Sequence, residues 1–283
     1  MSAQRKLPSP NLRAARWLRR ALAPALAPLL ATLLAPLLVL AAWQAAAQAG
    51  WLSDRLLPAP STVAAAAVAL ARSGELWSLA GASLLRVLAG LVLGGGAAMI
   101  LGSMNATARR AGKQADTLLQ TLGLVPVLAF APLVLLWLGV GETARLALLS
   151  LGAFFPIYRQ TVRGIRAVDP GLIATGRAHG LHGWALFVHV ILPGALPSIL
   201  TGLRHGVGLA WLILVALELF AAPSGVGLLA EQGRLASRID LLVLGIALYA
   251  AMSAASQALV HLLARHLLRW SPAHRPELFS RID

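Results

Sequence analysis

The repeated occurrence of apolar runs close to 20 residues long constrains the fold of this chain more than any other feature. An α-helix of about 20 residues crosses a hydrocarbon core of about 30 Å, and it satisfies its own backbone hydrogen bonds there. The chain is 58% hydrophobic and only 12% charged, whereas a soluble domain is roughly 25% charged. We therefore predict an all-α, polytopic membrane protein.

Six runs have the length and composition of transmembrane helices, and each is bounded by charged or turn-forming residues. They cover residues 22–46, 84–104, 118–138, 146–165, 198–220 and 241–263. Prolines within these runs are compatible with membrane helices, because neighbouring helices satisfy the freed backbone groups. Glycines at 94–96, 202 and 206 predict places where two helices approach closely.

The first run is longer than the apolar core of a secretory signal peptide. It extends from Ala21 to Trp43, whereas a signal core has about 7–15 residues. We therefore expect a retained first helix. The chain then divides into a basic N-terminal tail (1–21), a transmembrane domain (22–270) and a C-terminal tail (271–283).

The distribution of Lys and Arg predicts the orientation in the membrane. Eighteen of them lie in the N-terminal tail, in 105–117, in 159–204 and after residue 263, against five in the intervening loops. Because basic residues accumulate on the cytoplasmic side, both termini and residues 166–197 are expected in the cytoplasm. The same bias accounts for the net charge of +14 without a nucleic-acid partner, and the absence of cysteine excludes disulfides and thiol chemistry.

Residues 170–193 form a half-polar insert between two apolar runs. Apolar side chains such as Trp184 and Phe187 alternate there with Arg177, His179 and His182, a pattern typical of an amphipathic helix. Such a helix lies at the membrane interface or presents its apolar face to a groove on a soluble partner. Periodicity does not choose between these two interpretations.

Several motifs resemble those of the inner-membrane permease subunits of binding-protein-dependent ABC importers, of the sulfonate/nitrate/taurine type. ATGRAHG at 174–180, followed by ILP at 191–193, resembles the cytoplasmic EAA loop of these permeases. The other matching motifs are LPAPSTV (57–63), SLLRVLAG (83–90), LGAFFPIYRQTVRGIRAVDP (151–170) and SGVGLL (224–229). The resemblance covers roughly residues 50–270.

The resemblance implies that a coupling loop at about 166–197, between helices 4 and 5, contacts a separate ATPase. Its candidate coupling residues are Ala174, Gly176, Arg177, Gly180, Ile191, Leu192 and Pro193. Gly180 would allow a turn between two short helices, and Pro193 would begin the segment that re-enters the membrane. The chain departs from the EAA pattern at the usual glutamate, which is Ala174, and at Gly176.

The resemblance also implies the partners and the mechanism. Two permease copies would form the pathway in a bacterial inner membrane, with a cytoplasmic ATPase dimer and a periplasmic solute-binding protein. The chain would be non-catalytic and carry no cofactor, with ATP on the partner subunit. Consistent with this, the sequence lacks a Gly-x-x-x-x-Gly-Lys-Ser/Thr phosphate loop. The alternative is an ion-coupled secondary transporter, which would place ionisable groups at the membrane centre.

Few charged side chains lie inside the predicted helices. Glu218 is acidic and Arg86 lies near the start of the second helix, both towards the predicted periplasmic side. Either each reaches the interface, or the two form an intramembrane charge pair. His179 and His182, three residues apart, have no cysteine or nearby carboxylate to complete a metal site, so no metal is expected.

Overall fold

A computed structural model describes residues 34–53, 56–108, 110–221 and 224–270. Within these ranges the regular secondary structure is helical, without strands. The predicted tails 1–21 and 271–283, and the first part of run 22–46, lie outside the described residues. The chain divides into two compact units, Met1–Ala66 and Ala67–Asp283.

The first unit contains an apolar helix, α1 (Leu34–Gln48), and the start of α2 (Pro60–Ser73). The Gln44 side chain bridges these helices: its amide oxygen accepts from the Ser61 backbone N–H at 3.1 Å, and its amide nitrogen donates to the Ser61 hydroxyl at 3.2 Å. This contact holds α2 at its first turn, where the backbone N–H groups have no partner within the helix.

The second unit is built from helices joined by short turns. In chain order they are α3 (Glu75–Thr107), α4 (Arg110–Leu122), a 3-10 turn (Val127–Phe130), α5 (Ala131–Leu138), α6 (Glu142–Arg166), α7 (Pro170–Ala178), α8 (Gly183–Leu186), a π-helical turn (Phe187–Ile191), α9 (Leu192–Ala221), α10 (Val226–Leu235) and α11 (Ile239–Leu267).

Three helices of the described residues are long and apolar enough to cross a membrane: α3, the continuous helix Gly183–Leu219, and α11. Their outer faces carry large apolar side chains that are exposed, such as Leu85 (68%) and Val92 (72%) on α3. A soluble monomer rarely exposes such a continuous apolar surface. The expected class, a helical membrane protein, is therefore confirmed, whereas the number of six spans stays a prediction.

The predicted span at 118–138 is not one straight helix, because this run is broken. Residues Gln114–Leu122 and Val127–Leu138 form two helices bent by 90° relative to each other. Pro126 stands at the break and precedes the 3-10 turn. Proline lacks an N–H group and disfavours the helical conformation of the preceding residue, so one straight helix cannot pass through it without distortion.

The start of the fifth predicted span also differs from the sequence expectation. The sequence predicts a span at 198–220, and the resemblance implies that Pro193 begins the segment leading into it, but a continuous helix of 37 residues runs from Gly183 to Leu219. The π-helical turn directly precedes α9, and within it the Leu192 N–H donates to the Phe187 carbonyl, five residues back. Such turns absorb an irregularity without ending a helix, and they are frequent at functional sites.

Helix α6, which includes the predicted span 146–165, lies against α3 along glycine contacts. A Cβ atom on Gly90 would lie 2.7 Å from the Leu149 Cβ, and one on Gly94 would overlap the Ser150 carbonyl group. Among the described residues, no atom lies within 4 Å of a Cβ on Gly96. Gly94 therefore takes part in the close contact between α3 and α6, whereas Gly96 lies outside that contact.

The order of these contacts gives the relative direction of the helices. Gly90 lies against Leu149 and Gly102 lies against Thr161, so α3 and α6 run parallel. Helix α9 runs antiparallel to both, because its residue Glu218, near its end, contacts Ser83 near the start of α3. The starts of α3 and α6 and the end of α9 therefore meet at one end of the unit.

Candidate functional site

Arg86 and Glu218, which the sequence analysis singles out, lie in direct contact. Arg86 Nη1 donates to Glu218 Oε1 at 2.7 Å. The Arg86 side chain is 7% exposed and that of Glu218 is fully buried. The two residues come from α3 and α9, 132 positions apart in the sequence, so the contact ties two long helices together.

Four groups donate hydrogen bonds to the Glu218 carboxylate. Besides Arg86, these are the Ser83 hydroxyl at 2.8 Å and 2.9 Å, the Tyr249 hydroxyl at 2.7 Å and the Gly227 backbone N–H at 3.1 Å. A carboxylate offers about four lone-pair positions. A buried charge is costly unless it is paired and hydrogen-bonded, and here every oxygen is supplied with donors.

The Arg86 guanidinium is satisfied in the same way. Nη1 also donates to the Ser224 carbonyl at 2.8 Å, Nη2 donates to the Ser224 hydroxyl at 2.6 Å, and Nε donates to Glu142. Glu142 in turn accepts from Arg145 at 3.0 Å. Two arginines and two glutamates thus balance their charges. The residues of this site are Ser83, Arg86, Glu142, Arg145, Glu218, Ser224 and Tyr249, and we call them the Arg86–Glu218 cluster.

The turn before α10 closes over this cluster. The Val226 N–H donates to the Ser83 hydroxyl at 2.9 Å. Gly225 has φ +105°, and a Cβ atom there would lie 2.7 Å from Arg86 Nη1. Glycine is required at this position by its left-handed backbone and by the closeness of the charged groups. The motifs SLLRVLAG and SGVGLL, far apart in the sequence, therefore meet at one site.

Sequence reasoning does not identify Ser83, Glu142, Ser224 or Tyr249 as members of this cluster. One available signal is that the chain has only two tyrosines. Both have buried hydroxyl groups that bond to a carboxylate: Tyr249 to Glu218, and Tyr158 to Asp116 at 3.1 Å. A tyrosine inside an apolar helix normally needs such a partner.

The comparison with known proteins decides the family. Residues 90–270 match the family model described as "Binding-protein-dependent transport system inner membrane component". The chain belongs to this family. It is a permease subunit of an ABC importer, a non-catalytic membrane component that carries no cofactor itself.

Several relatives cover most of the permease. It is 44% identical over 236 residues to the "Putative aliphatic sulfonates transport permease protein" of Escherichia coli (strain K12), with 83% of this chain and 90% of the relative aligned. The protein of the same name from Bacillus subtilis (strain 168) is 38% identical, with 82% and 84% aligned. The taurine transport system permease protein of Escherichia coli (strain K12) is 32% identical, with 82% and 86% aligned.

Residues 170–193 lie within the expected coupling loop, and we call them the coupling segment. This segment contains a tight joint between α7 and α8. Asp169 caps α7 by accepting from the Gly171 N–H at 2.8 Å. At the other end the Gly180 N–H donates to the Arg177 carbonyl at 2.9 Å, and the Leu181 N–H donates to the Gly176 carbonyl at 3.0 Å. This pair of bonds is the Schellman motif. Gly180, with φ +82°, occupies its left-handed position.

The seven candidate coupling residues are not equally accessible. Ala174, Arg177 and Gly180 are exposed, whereas Gly176 is buried. A Cβ atom on Gly176 would lie 2.9 Å from Leu186 Cδ1 and 3.0 Å from Val190 Cγ2, so α7 packs on the start of the following helix. Ile191, Leu192 and Pro193 are half-buried.

The three histidines of the coupling segment each bond to a nearby backbone carbonyl. Their Nδ1 atoms lie 2.9 Å from the carbonyl oxygens of Thr175, Gly180 and Ala185, for His179, His182 and His189 respectively. All three residues are exposed. One ring nitrogen of each histidine is thus engaged by the local backbone.

Proposed function

We propose that this permease forms the membrane pathway of an importer for small organic anions of the sulfonate class, in a bacterial inner membrane. The observation that carries the proposal is the class of solute for which the relatives are named. Two of them, 44% and 38% identical over more than four fifths of the chain, are named for aliphatic sulfonates. A third, at 32%, is named for taurine, which is itself a sulfonate.

The proposed assembly contains two copies of the permease, a cytoplasmic ATPase dimer that binds ATP, and a periplasmic solute-binding protein. The coupling segment is the proposed contact with the ATPase. Its support is the exposed joint at Gly180, with Arg177 and the apolar Trp184 beside it, Trp184 being 77% exposed. Exposed aromatic and arginine side chains are typical of residues that dominate binding energy at interfaces.

We further propose six membrane spans with both termini in the cytoplasm. The support is the bias of basic residues, eighteen against five, together with the relative directions of α3, α6 and α9. The broken run 114–138 is then one bent span, and the Arg86–Glu218 cluster lies towards the periplasmic side. There it joins α3, α6, α9 and α11, and so holds the outer end of the pathway together.

The test is reconstitution of the permease in proteoliposomes, with and without its proposed partner ATPase and solute-binding protein. We expect ATP-driven uptake of ethanesulfonate only when all three components are present. The permease alone should not hydrolyse ATP, because its sequence has no phosphate-binding loop. Uptake driven by a proton or sodium gradient in the absence of the ATPase would instead establish the secondary-transporter alternative.

A further inference from the structure

A cavity of about 1270 Å³ opens between α4, α6, α9 and α11, away from the Arg86–Glu218 cluster. This volume exceeds the roughly 300–1,000 Å³ of a fitted ligand pocket, so the space is a vestibule. Its polar lining consists of arginines, one histidine and glutamines, without a carboxylate. These residues are Arg159, Arg163, Arg166, Arg204, His205, Gln120, Gln160 and Gln257. We call it the arginine cavity.

Helix geometry directs these arginines to one space. Arg159, Arg163 and Arg166 are four and seven residues apart on α6 and share a face. Arg204 and His205 follow on α9, which approaches α6 closely at Gly202. A Cβ atom on Gly202 would lie 2.8 Å from the Gln160 Cβ. The small residue therefore brings the basic part of α9 level with the basic part of α6.

Most of this positive charge has no partner in the described part of the chain. Arg166 pairs with Asp116 at 2.6 Å, but no carboxylate of the described residues bonds to Arg159, Arg163 or Arg204. Like charges on one face destabilise a helix. A cleft of one sign with low-dielectric walls concentrates ions of the opposite sign, so the cavity attracts anions.

A second observation places this cavity beside the break between α4 and α5. An adjoining apolar pocket of about 240 Å³ shares Pro156, Arg159, Leu209 and Leu212 with it and is lined by the break itself, residues 123–127. Irregular backbone at membrane depth is tolerated only where it is buried in protein or lines a cavity. The break between α4 and α5 thus lines a pocket that shares Arg159 with the arginine cavity.

We propose that the arginine cavity is an anion-binding site on the transport path. Arg159, Arg163 and Arg204 hold the acidic head group of the solute, a small organic anion of the sulfonate class, through charge-assisted hydrogen bonds. The inference rests on the proposed function. It adds that the permease itself selects solutes by their charge, in addition to the selection made by the binding protein.

The binding experiment uses the full-length permease in phosphatidylcholine nanodiscs, without ATPase or binding protein. Equilibrium dialysis with ³⁵S-labelled ethanesulfonate should show saturable binding that the neutral analogue ethyl methyl sulfone does not displace. Arg159→Gln and Arg204→Gln should each weaken binding about tenfold or more, as expected for loss of a charge-assisted bond. Arg204→Lys should retain more affinity, because it retains the charge.

The matched control is Arg265→Gln, which removes the same charge from an exposed position of α11 outside the cavity. It should bind ethanesulfonate as the unchanged permease does. Absence of saturable binding, or equal affinity in the cavity variants and the control, overturns the proposal. So does loss of ethanesulfonate binding when phosphatidylglycerol is added to the nanodiscs, since a lipid head group would then be the occupant.

Uptake by the reconstituted importer separates this proposal from the proposed function. If the arginines bind ethanesulfonate but the complete importer does not transport it, the proposed sulfonate import fails while the anion site stands. If the importer transports ethanesulfonate equally well with and without Arg159 and Arg204, and binding is unchanged, the anion site fails while the proposed function stands.

Discussion

At the scale of single residues, Glu218 shows how an ionised group is kept inside an apolar helix bundle. Its carboxylate takes donors from α3, α11 and the first turn of α10. Burial of such a group stabilises the fold only while its partners are in place, because a lone buried charge is far more costly than a missing pair. The cluster therefore acts as one unit.

Neutralising both members of the pair should cost less than the sum of the single changes. Glu218→Gln presents an amide N–H₂ to groups that are themselves donors, and Arg86→Gln leaves a carboxylate unpaired. Each should destabilise the permease by about 3–5 kcal/mol, and the double variant should show a coupling of about 0.5–3 kcal/mol. Thermal unfolding of the four purified proteins measures this.

The control cycle uses Arg234 and Glu231, whose charged atoms lie 4.0 Å apart with Arg234 70% exposed. Exposed pairs contribute about 0–1 kcal/mol, so Arg234→Gln and Glu231→Gln should be close to additive. Additive effects at Arg86 and Glu218 as well would show that these two residues do not form an energetic unit.

At the scale of helices, two joints decide how the elements meet. One is the glycine contact between α3 and α6, where the Gly94 backbone reaches the Ser150 carbonyl group. The other is the left-handed joint at Gly180 between α7 and α8. Both depend on the absence of a side chain, but for different reasons: the first for space, the second for backbone conformation.

Gly94→Ala should force α3 away from α6 and destabilise the permease by about 1–3 kcal/mol, the usual cost of overpacking. Gly96→Ala, two residues along the same helix, should be neutral or slightly stabilising, because its Cβ enters open space and alanine favours a helix over glycine by about 1 kcal/mol. Comparison of the two melting temperatures is the measurement. Equal loss in both variants would rule out the packing explanation.

Gly180→Val should weaken ATPase association and solute uptake while leaving membrane insertion intact. No atom lies within 4 Å of a Cβ at this position, so the penalty comes from the positive φ, at about 1–3 kcal/mol. Gly180→Asn should be milder, because asparagine tolerates this conformation. Co-purification of the ATPase tests both variants. Full binding and uptake by Gly180→Val would favour a passive helix at the membrane interface.

At the scale of the whole second unit, charged groups separate towards opposite ends of the long helices. The balanced Arg86–Glu218 cluster lies where α3 begins and α9 ends. The arginine cavity lies at the later part of α6 and the earlier part of α9. A membrane protein that carries an excess of basic residues at one end inserts with that end in the cytoplasm.

Reporter fusions should therefore place residue 180 and the C-terminus in the cytoplasm and residues 50–80 in the periplasm. Alkaline phosphatase is active only in the periplasm, whereas green fluorescent protein fluoresces when it remains in the cytoplasm. The two fusions therefore give opposite signals at each position. A periplasmic signal near residue 180 would invert the orientation and remove the proposed ATPase contact.

The sequence by itself determined the helical membrane class and, through its motifs, the permease family. Both follow from local information, because the hydrophobicity of 20 residues decides whether they can cross a bilayer. Only the tertiary structure decided the break at Pro126, the continuous helix from Gly183, the partners of Glu218 and the arginine cavity. The break and the continuous helix reflect local backbone geometry. The partners of Glu218 and the arginine cavity depend on which helix faces lie together, for Arg86 and Ser83 across more than 100 residues of sequence. Hydropathy carries no information about those pairings, since every face of a membrane helix can be apolar.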